Sequence, residues 1–227
     1  MLRRMDGGTT GTLPPEPDGG SLAAAFRDGR RLRLRVGTTL MAEGDASRRV
    51  ILLLSGRVKV STLSADGQET VLAFRGAGDI LGELAAIDGE DHMATVTVVE
   101  EGTALAVTAE RFLAALETEP GLAVMLLRSV IGRLRTADRM RTEYVALDVA
   151  GRVAKRLVDL ASAYGQPTDG GTRIGLQLSQ RELAGWVGAS REAVNKALAQ
   201  LEARGLIARD HGTLIVRDED GLRRRAS

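Results

Sequence analysis

The sequence predicts an α+β chain in three parts: an N-terminal jelly-roll β-barrel, one long helix, and a C-terminal winged helix-turn-helix. Three observations carry that prediction. Short β-prone runs separated by glycine-rich corners fill residues 31–107, the pattern of a double-sheet barrel. From Gly121 to Leu147, residues able to form an interface recur at alternating spacings of three and four. Residues 178–207, LSQRELAGWVGASREAVNKALAQLEARGLI, read as two capped amphipathic helices around a glycine turn. The boundaries that follow are a disordered segment over 1–20, a β-barrel domain over 21–120, a dimerisation helix over 121–147 and a winged helix-turn-helix domain over 148–227.

Within the first part, residues 1–20 are rich in Gly, Pro and Thr and lack the apolar surface that would order them. Ser21–Arg27 can form a short helix. Leu32, Leu34 and Val36 then alternate with Arg31, Arg33 and Arg35, which predicts a half-buried strand. Further strands are expected at Val50–Leu54, Val58–Thr62, Thr70–Phe74, Ala94–Val99 and Ala104–Val107. Corners fall at Glu43-Gly44-Asp45, Ser55-Gly56, Ala65-Asp66-Gly67 and Gly76-Ala77-Gly78-Asp79.

After Ala109 the period lengthens. A helix covers Ala109–Leu116, Pro120 restarts the chain, and the long helix follows. Its seam comprises Leu127, Val130, Leu134, Ala137, Arg141 and Tyr144. Such a stripe can pack on the chain's own barrel. At this length, ahead of DNA-binding helices, self-pairing into a homodimer is the favoured reading, because two-fold dimers set two recognition helices about one DNA turn apart, roughly 34 Å. Asp148 reads as a cap or hinge before a helix from Val149 to Tyr164 that ends at Gly165.

The last part carries the most specific chemistry. Ser179 with Glu182 three residues on is a capping box, and Leu183, Ala184 and Val187 form one apolar face. Gly188-Ala189 breaks the helix and Ser190 caps the next, in which Val194, Leu198 and Leu201 face inward. Arg191, Glu192, Asn195 and Lys196 occupy the leading polar face, where a recognition helix meets base edges and phosphates. Gly205 is a helix stop, and Leu206-Ile207 and Leu214-Ile215-Val216 flank the turn Asp210-His211-Gly212-Thr213, the pattern of a wing.

Composition sets outer limits. The 227 residues suit two small domains, and the absence of cysteine excludes iron–sulfur clusters, thiolate-held haem and disulfides. No apolar run approaches the roughly 20 residues of a membrane helix, and MLRRMDGG has no hydrophobic stretch behind it. A soluble cytoplasmic protein without a membrane partner is expected. The net charge of +1 does not itself argue for nucleic acid, so the local placement of basic residues from Arg173 to Arg204 must. A metal-dependent barrel enzyme needs clustered His and carboxylate ligands, and the two histidines fall in different parts of the chain, so no enzyme and no metal site are expected.

In this order the parts resemble the CRP/FNR regulators of bacteria, the cyclic-AMP receptor protein family, over about residues 30–217. The resemblance rests on GDILGELAAIDG (Gly78–Gly89), LDVAGRVAKRL (Leu147–Leu157) and LSQRELAGWVGASREAVNKAL (Leu178–Leu198). The last is similar to actinobacterial members, which also read GASRE followed by VNKAL. The resemblance implies that Arg191 and Glu192 read a G·C pair, that Lys196 and Asn195 reach bases or phosphates, and that Ser179, Arg181 and Ser190 touch phosphates. The implied partners are double-stranded DNA with palindromic GTGA-type half-sites, a second copy of the chain, and RNA polymerase if the protein activates.

The sensor part departs from the pattern. The resemblance implies an effector pocket at Gly82, Glu83, His92, Met93, Ala137 and Asp138, yet His92-Met93 stand where cyclic-AMP binders carry Arg-Ser or Arg-Thr. Ala137-Asp138 stand where they carry a hydroxyl pair. Imidazole lacks the bidentate fork of guanidinium and methionine offers no hydroxyl, which disfavours cyclic AMP. The effector stays open, with a cyclic nucleotide among the candidates, and the sequence fixes no cofactor. The bland readings are a retained structural turn for Gly82-Glu83, a surface-loop His92, a wing His211 facing solvent or phosphate, and core or interface roles for Trp186 and Tyr144. Arg128, Arg133, Arg135, Arg139 and Arg141 read as a solvated helix face, with an acidic effector as the lesser reading. Arg223-Arg224-Arg225 read as a disordered end, with a phosphate-touching tail as the lesser reading. A small-ligand module acting through protein partners is the rival function, and the recognition helix argues against it.

Overall fold

A computed structural model describes residues 22, 25–65, 67–176, 178–210 and 213–226. The expectations for residues 1–20, for Asp66 and for His211-Gly212 lie outside the described residues. Of the helix expected over Ser21–Arg27, Leu22, Ala25 and Phe26 are described as helical. The elements run β1 (Arg30–Leu34), β2 (Thr39–Met41), β3 (Arg49–Leu63), β4 (Glu69–Arg75), β5 (Ile80–Leu81), α1 (Glu83–Asp88), β6 (Thr95–Thr108), α2 (Ala109–Thr118), α3 (Pro120–Ala146), α4 (Val149–Tyr164), β7 (Gly165–Thr168), β8 (Gly171–Ile174), α5 (Gln180–Val187), α6 (Arg191–Ala203), β9 (Ile207–Asp210), β10 (Thr213–Val216) and α7 (Glu219–Arg225). Strands followed by helices give the α+β class that the sequence predicts. The described residues gather into two compact units: those up to Val58, with Arg75–His92 and Thr97–Leu127, in the first, and those of Lys59–Phe74 and Met93–Val96 and from Arg128 onward in the second.

β1 to β6 form one six-stranded sheet in the order β1-β6-β3-β4, with β2 on β6 and β5 on β3. β1 pairs antiparallel with β6 from Arg30↔Ala106 to Leu34↔Gly102. Leu34 is buried, but Val36 is 60% exposed and lies beyond the strand, because a turn closed by Thr38 N donating to Arg35 O (3.1 Å) ends the alternation. Where the sequence suggests four strands over 50–62 and 94–107, two long ones run without interruption. Gly56 (φ +80°) and Gly102 are kinks inside them: a Cβ at Gly102 would stand 2.1 Å from Ser55 O, and one at Gly56 would stand 2.7 Å from Glu100 O. Glycine here lets two backbones meet rather than a chain reverse. The first unit's core packs Phe26 against Phe112 (centroids 6.2 Å apart), with Val50, Leu52, Leu122 and Leu126 around them.

In the second unit, β7, β8, β10 and β9 form a four-stranded sheet, of which β9–β10 is the expected wing, in register from Thr213↔Asp210 to Val216↔Ile207. The C-terminal arginines are not a disordered end. They lie on α7, whose Leu222 is fully buried, and each arginine has a carboxylate partner: Arg223 with Glu219, Arg224 with Asp218, and Arg225 with Asp148 at 2.5 and 2.6 Å. One buried leucine and acidic residues in the first turn suffice to anchor this short helix. Among the described residues, no helix is long and apolar enough to cross a membrane.

Candidate nucleic-acid interface

α5 starts at the expected capping box. Ser179 Oγ accepts from Glu182 N (3.2 Å), and Glu182 Oε2 accepts from Ser179 N (2.9 Å) and Ser179 Oγ (2.8 Å). Burial opposes ionisation of Glu182, yet hydrogen bonds from Lys59 and Ser179 outweigh it and hold the carboxyl below the usual range. Leu183, Ala184 and Val187 are buried, and Gly188 closes the helix in the left-handed region (φ 67°). Ser190 Oγ then accepts from Ala193 N (3.2 Å) and starts α6, whose Val194, Leu198 and Leu201 form the buried face.

The opposite face of α6 is open. Arg191, Glu192 and Lys196 are exposed, as are Arg181, Ser190 and Ser179, while Asn195 is half-buried. Among the described residues, Asn195 Oδ1 is buried without a hydrogen-bond partner. Hydrogen bonds from Glu192's own backbone amide and from Ser190 keep the Glu192 carboxyl below its usual range, so it meets a ligand as an anionic acceptor. At its far end α6 fixes the wing: Glu202 accepts from Arg209 N (3.2 Å) and Nε (2.9 Å). A capped helix presenting a cation, an anion and a second cation within two turns can pair with base edges and phosphates of a duplex.

Two arginines that sequence reasoning passed over hold this platform. Arg152, on α4, donates to the carbonyls of Leu147 (2.8 Å), Val187 (3.0 Å) and Gly188 (3.4 Å), and its guanidinium lies 4.6 Å from the Tyr144 ring centroid. It thus satisfies carbonyls that the ends of α3 and α5 leave orphaned. One turn on, buried Arg156 bonds Glu143 and Asp159 (2.8 Å) and stands 5.5 Å from the Trp186 ring, which also meets Phe74 edge-on at 5.4 Å. The i, i+4 spacing inside LDVAGRVAKRL was the available signal.

The residues expected at an effector pocket are distributed as follows. Gly82 precedes α1 with φ 79°, and a Cβ there would stand 2.4 Å from Arg49 O, so the barrel itself requires glycine. Glu83 is buried. His92 is not a surface-loop residue: it is 6% exposed, and its Nε2 has no hydrogen-bond partner among the described residues. Backbone pairing draws it in, since Gly44 N donates to His92 O (2.8 Å) and His92 N to Asp45 O (3.1 Å). Met93 is exposed, as are Ala137 and Asp138 on α3. Among the described residues, no cluster of His, Asp and Glu could hold a metal ion.

On α3, Leu122 and Leu126 are buried while Val124, Leu127, Ile131 and Leu134 are exposed at successive spacings of three, four and three. Val130 is half-buried, Arg141 is exposed, and Tyr144 is exposed apart from its contact with Arg152.

Comparison with known proteins places these observations. Residues 31–119 match the cyclic nucleotide-binding domain and residues 151–225 the Crp-like helix-turn-helix domain. The CRP-like cAMP-activated global transcriptional regulator of Mycobacterium tuberculosis is 35% identical over 84% of this chain and 85% of its own. The Cyclic AMP receptor protein of Thermus thermophilus is 31% identical over 80% of this chain and 81% of its own. Among solved structures, the c-di-GMP responsive global regulator CLP of Xanthomonas campestris superposes with a TM-score of 0.79 at 25% identity, covering 88% of this chain and 99% of that one. The chain belongs to the CRP/FNR family of DNA-binding transcriptional regulators.

Proposed function

We propose that the protein acts as a homodimer on a palindromic operator with GTGA-type half-sites, and that cyclic AMP is not the effector of its barrel. The observation that carries the DNA reading is the open leading face of α6. Arg191, in the first turn, can bond both acceptors of a guanine, Glu192 can accept from a cytosine amine, and Lys196 follows one turn on. Ser179, Arg181 and Ser190 flank this face as phosphate contacts, with Asn195 beside them. The dimer reading is supported by exposed apolar residues on α3 at coiled-coil spacing, Leu127 and Leu134 among them.

The two relatives whose names refer to cyclic AMP make that nucleotide the first candidate. The side chains here argue otherwise. The imidazole of His92 lacks the bidentate fork that a guanidinium offers a cyclic phosphate, and Met93, Ala137 and Asp138 add no hydroxyl. A different effector, or DNA binding without one, follows.

Operator titrations with two variants test the DNA reading. Arg191→Ala should weaken binding by about 1–3 kcal/mol per half-site and flatten discrimination at one G·C pair. Ser190→Ala should weaken preferred and altered sites by similar factors, since phosphate contacts position without specifying. Equal losses on both sites for Arg191→Ala would make that residue a phosphate contact and shift the helix in the groove.

A further inference from the structure

The hairpin formed by the outer ends of β3 and β4 belongs to the same compact unit as the helix-turn-helix, and one side chain ties the two together. Lys59 is buried, with Nζ 2.9 Å from Glu69 Oε1 across the hairpin and 2.9 Å from Glu182 Oε1 on α5. Glu182 is already engaged, because its other oxygen closes the capping box with Ser179. One carboxylate therefore both starts α5 and holds the hairpin.

The packing around this lysine is close. A Cβ at Gly185 would stand 2.5 Å from Glu69 O, so only glycine admits the hairpin backbone against α5, and Phe74 meets Trp186 beside it. Beyond the lysine lies a cleft of about 550 Å³, with Gln68 and Glu69 on one wall and Arg181, Ser190, Arg191 and Glu192 on the other. The latter four are exposed, so the seated hairpin leaves the reading face open. Glu69 lines the same cleft as that face. An uncompensated carboxylate lining that cleft would repel an approaching phosphate through solvent, where salt screens the repulsion.

We propose that Lys59 is a positioning residue for DNA binding: by gripping Glu69 and Glu182 together, it seats the hairpin on α5 and cancels carboxylate charge beside the face that meets phosphate. This rests on α6 being the recognition helix. Without Lys59, one cation against two carboxylates becomes two carboxylates alone.

The test titrates the full-length protein, over a range of salt, against a palindromic duplex with GTGA-type half-sites and a scrambled duplex. At about 0.1 M salt, Lys59→Met should weaken operator binding roughly five- to twentyfold, and the deficit should shrink as salt rises. Adding Glu69→Gln to that variant should restore most of the loss, which a purely structural role would not allow. Operator affinity unchanged in Lys59→Met overturns the proposal, as does a loss that neither salt nor Glu69→Gln relieves. Should Lys59→Met fail to fold, Lys59→Gln decides: it keeps a hydrogen-bond donor between the two carboxylates and removes the cation, so weakened operator binding that recedes as salt rises supports the proposal, and wild-type binding or a loss indifferent to salt overturns it. A wild-type protein that cannot tell the two duplexes apart would instead defeat the assignment of α6.

Discussion

Leu134→Glu probes the step from one chain to two. Leu134 is 60% exposed on a helix whose neighbouring turns expose Val124, Leu127 and Ile131 along the same stripe. Fully burying a leucine is worth about 1.5–3 kcal/mol, so covering the remaining surface contributes about 1–2 kcal/mol per protomer and about 2–4 per dimer. Glutamate forfeits that gain and sets a carboxylate beside its symmetry mate in a low-dielectric seam, at several kcal/mol more. A total of about 5 kcal/mol raises the dimer Kd by more than a thousandfold. Sedimentation velocity across the micromolar range reads this directly, with circular dichroism to check that α3 stays helical. Ile131→Glu should behave alike. If Leu134→Glu sediments as a dimer at low micromolar concentration, the seam lies elsewhere. If Val130→Glu dissociates the dimer while Ile131→Glu leaves it intact, the pairing runs through Val130 instead.

Two further outcomes are expected. Cyclic AMP at physiological concentration should neither raise the melting temperature nor change operator affinity, and micromolar stoichiometric binding by calorimetry would refute the reading of His92 and Met93. Acid should loosen the capping-box clasp: the Glu182 carboxyl titrates below its ordinary 4.5 in the folded protein, so its contribution is present above about pH 4.5 and is lost as pH falls through the folded value. Melting curves of wild type and Glu182→Gln should therefore converge between about pH 5 and 3, and a constant gap across that range would show that Glu182 is not the group involved.

The helix ends were legible in the sequence because capping is local chemistry. Ser179 with Glu182, Ser190, and Asp148, which accepts from Gly151 N at 2.8 Å, all act within three residues of themselves, where spacing alone reveals them. The strand breaks were misplaced for the converse reason. Gly56 and Gly102 carry the same local signal as turn glycines, and what distinguishes them is a backbone more than 40 residues away. His92 fails in the same manner: its polarity suggests a surface, while burial comes from pairing with Gly44 and Asp45. Lys59 in a β-prone run looks like an outward charge, because its second carboxylate is 123 residues along the chain. The C-terminal arginines looked like a loose end because α7 depends on Asp148 and on the burial of Leu222.

The same distinction bears on how the platform can move. Arg152 donates to the carbonyls of Leu147, after α3, and of Val187 and Gly188, at the end of α5. Each charge-assisted bond contributes about 1.5–3 kcal/mol, less where water reaches it. Arg156 repeats the arrangement a turn later, with Glu143 from α3 and the Trp186 face from α5 on one guanidinium. Separating α5 from the end of α3 would break bonds of both arginines, one of them buried, so displacement of α3 is coupled to α5 through α4. Because Gly188 and Ser190 join α5 to α6 through a single tight turn, the reading face follows. The helix proposed to pair two copies and the helix proposed to read DNA are thus joined through side chains of α4, a helix that displays none of the residues assigned to either task.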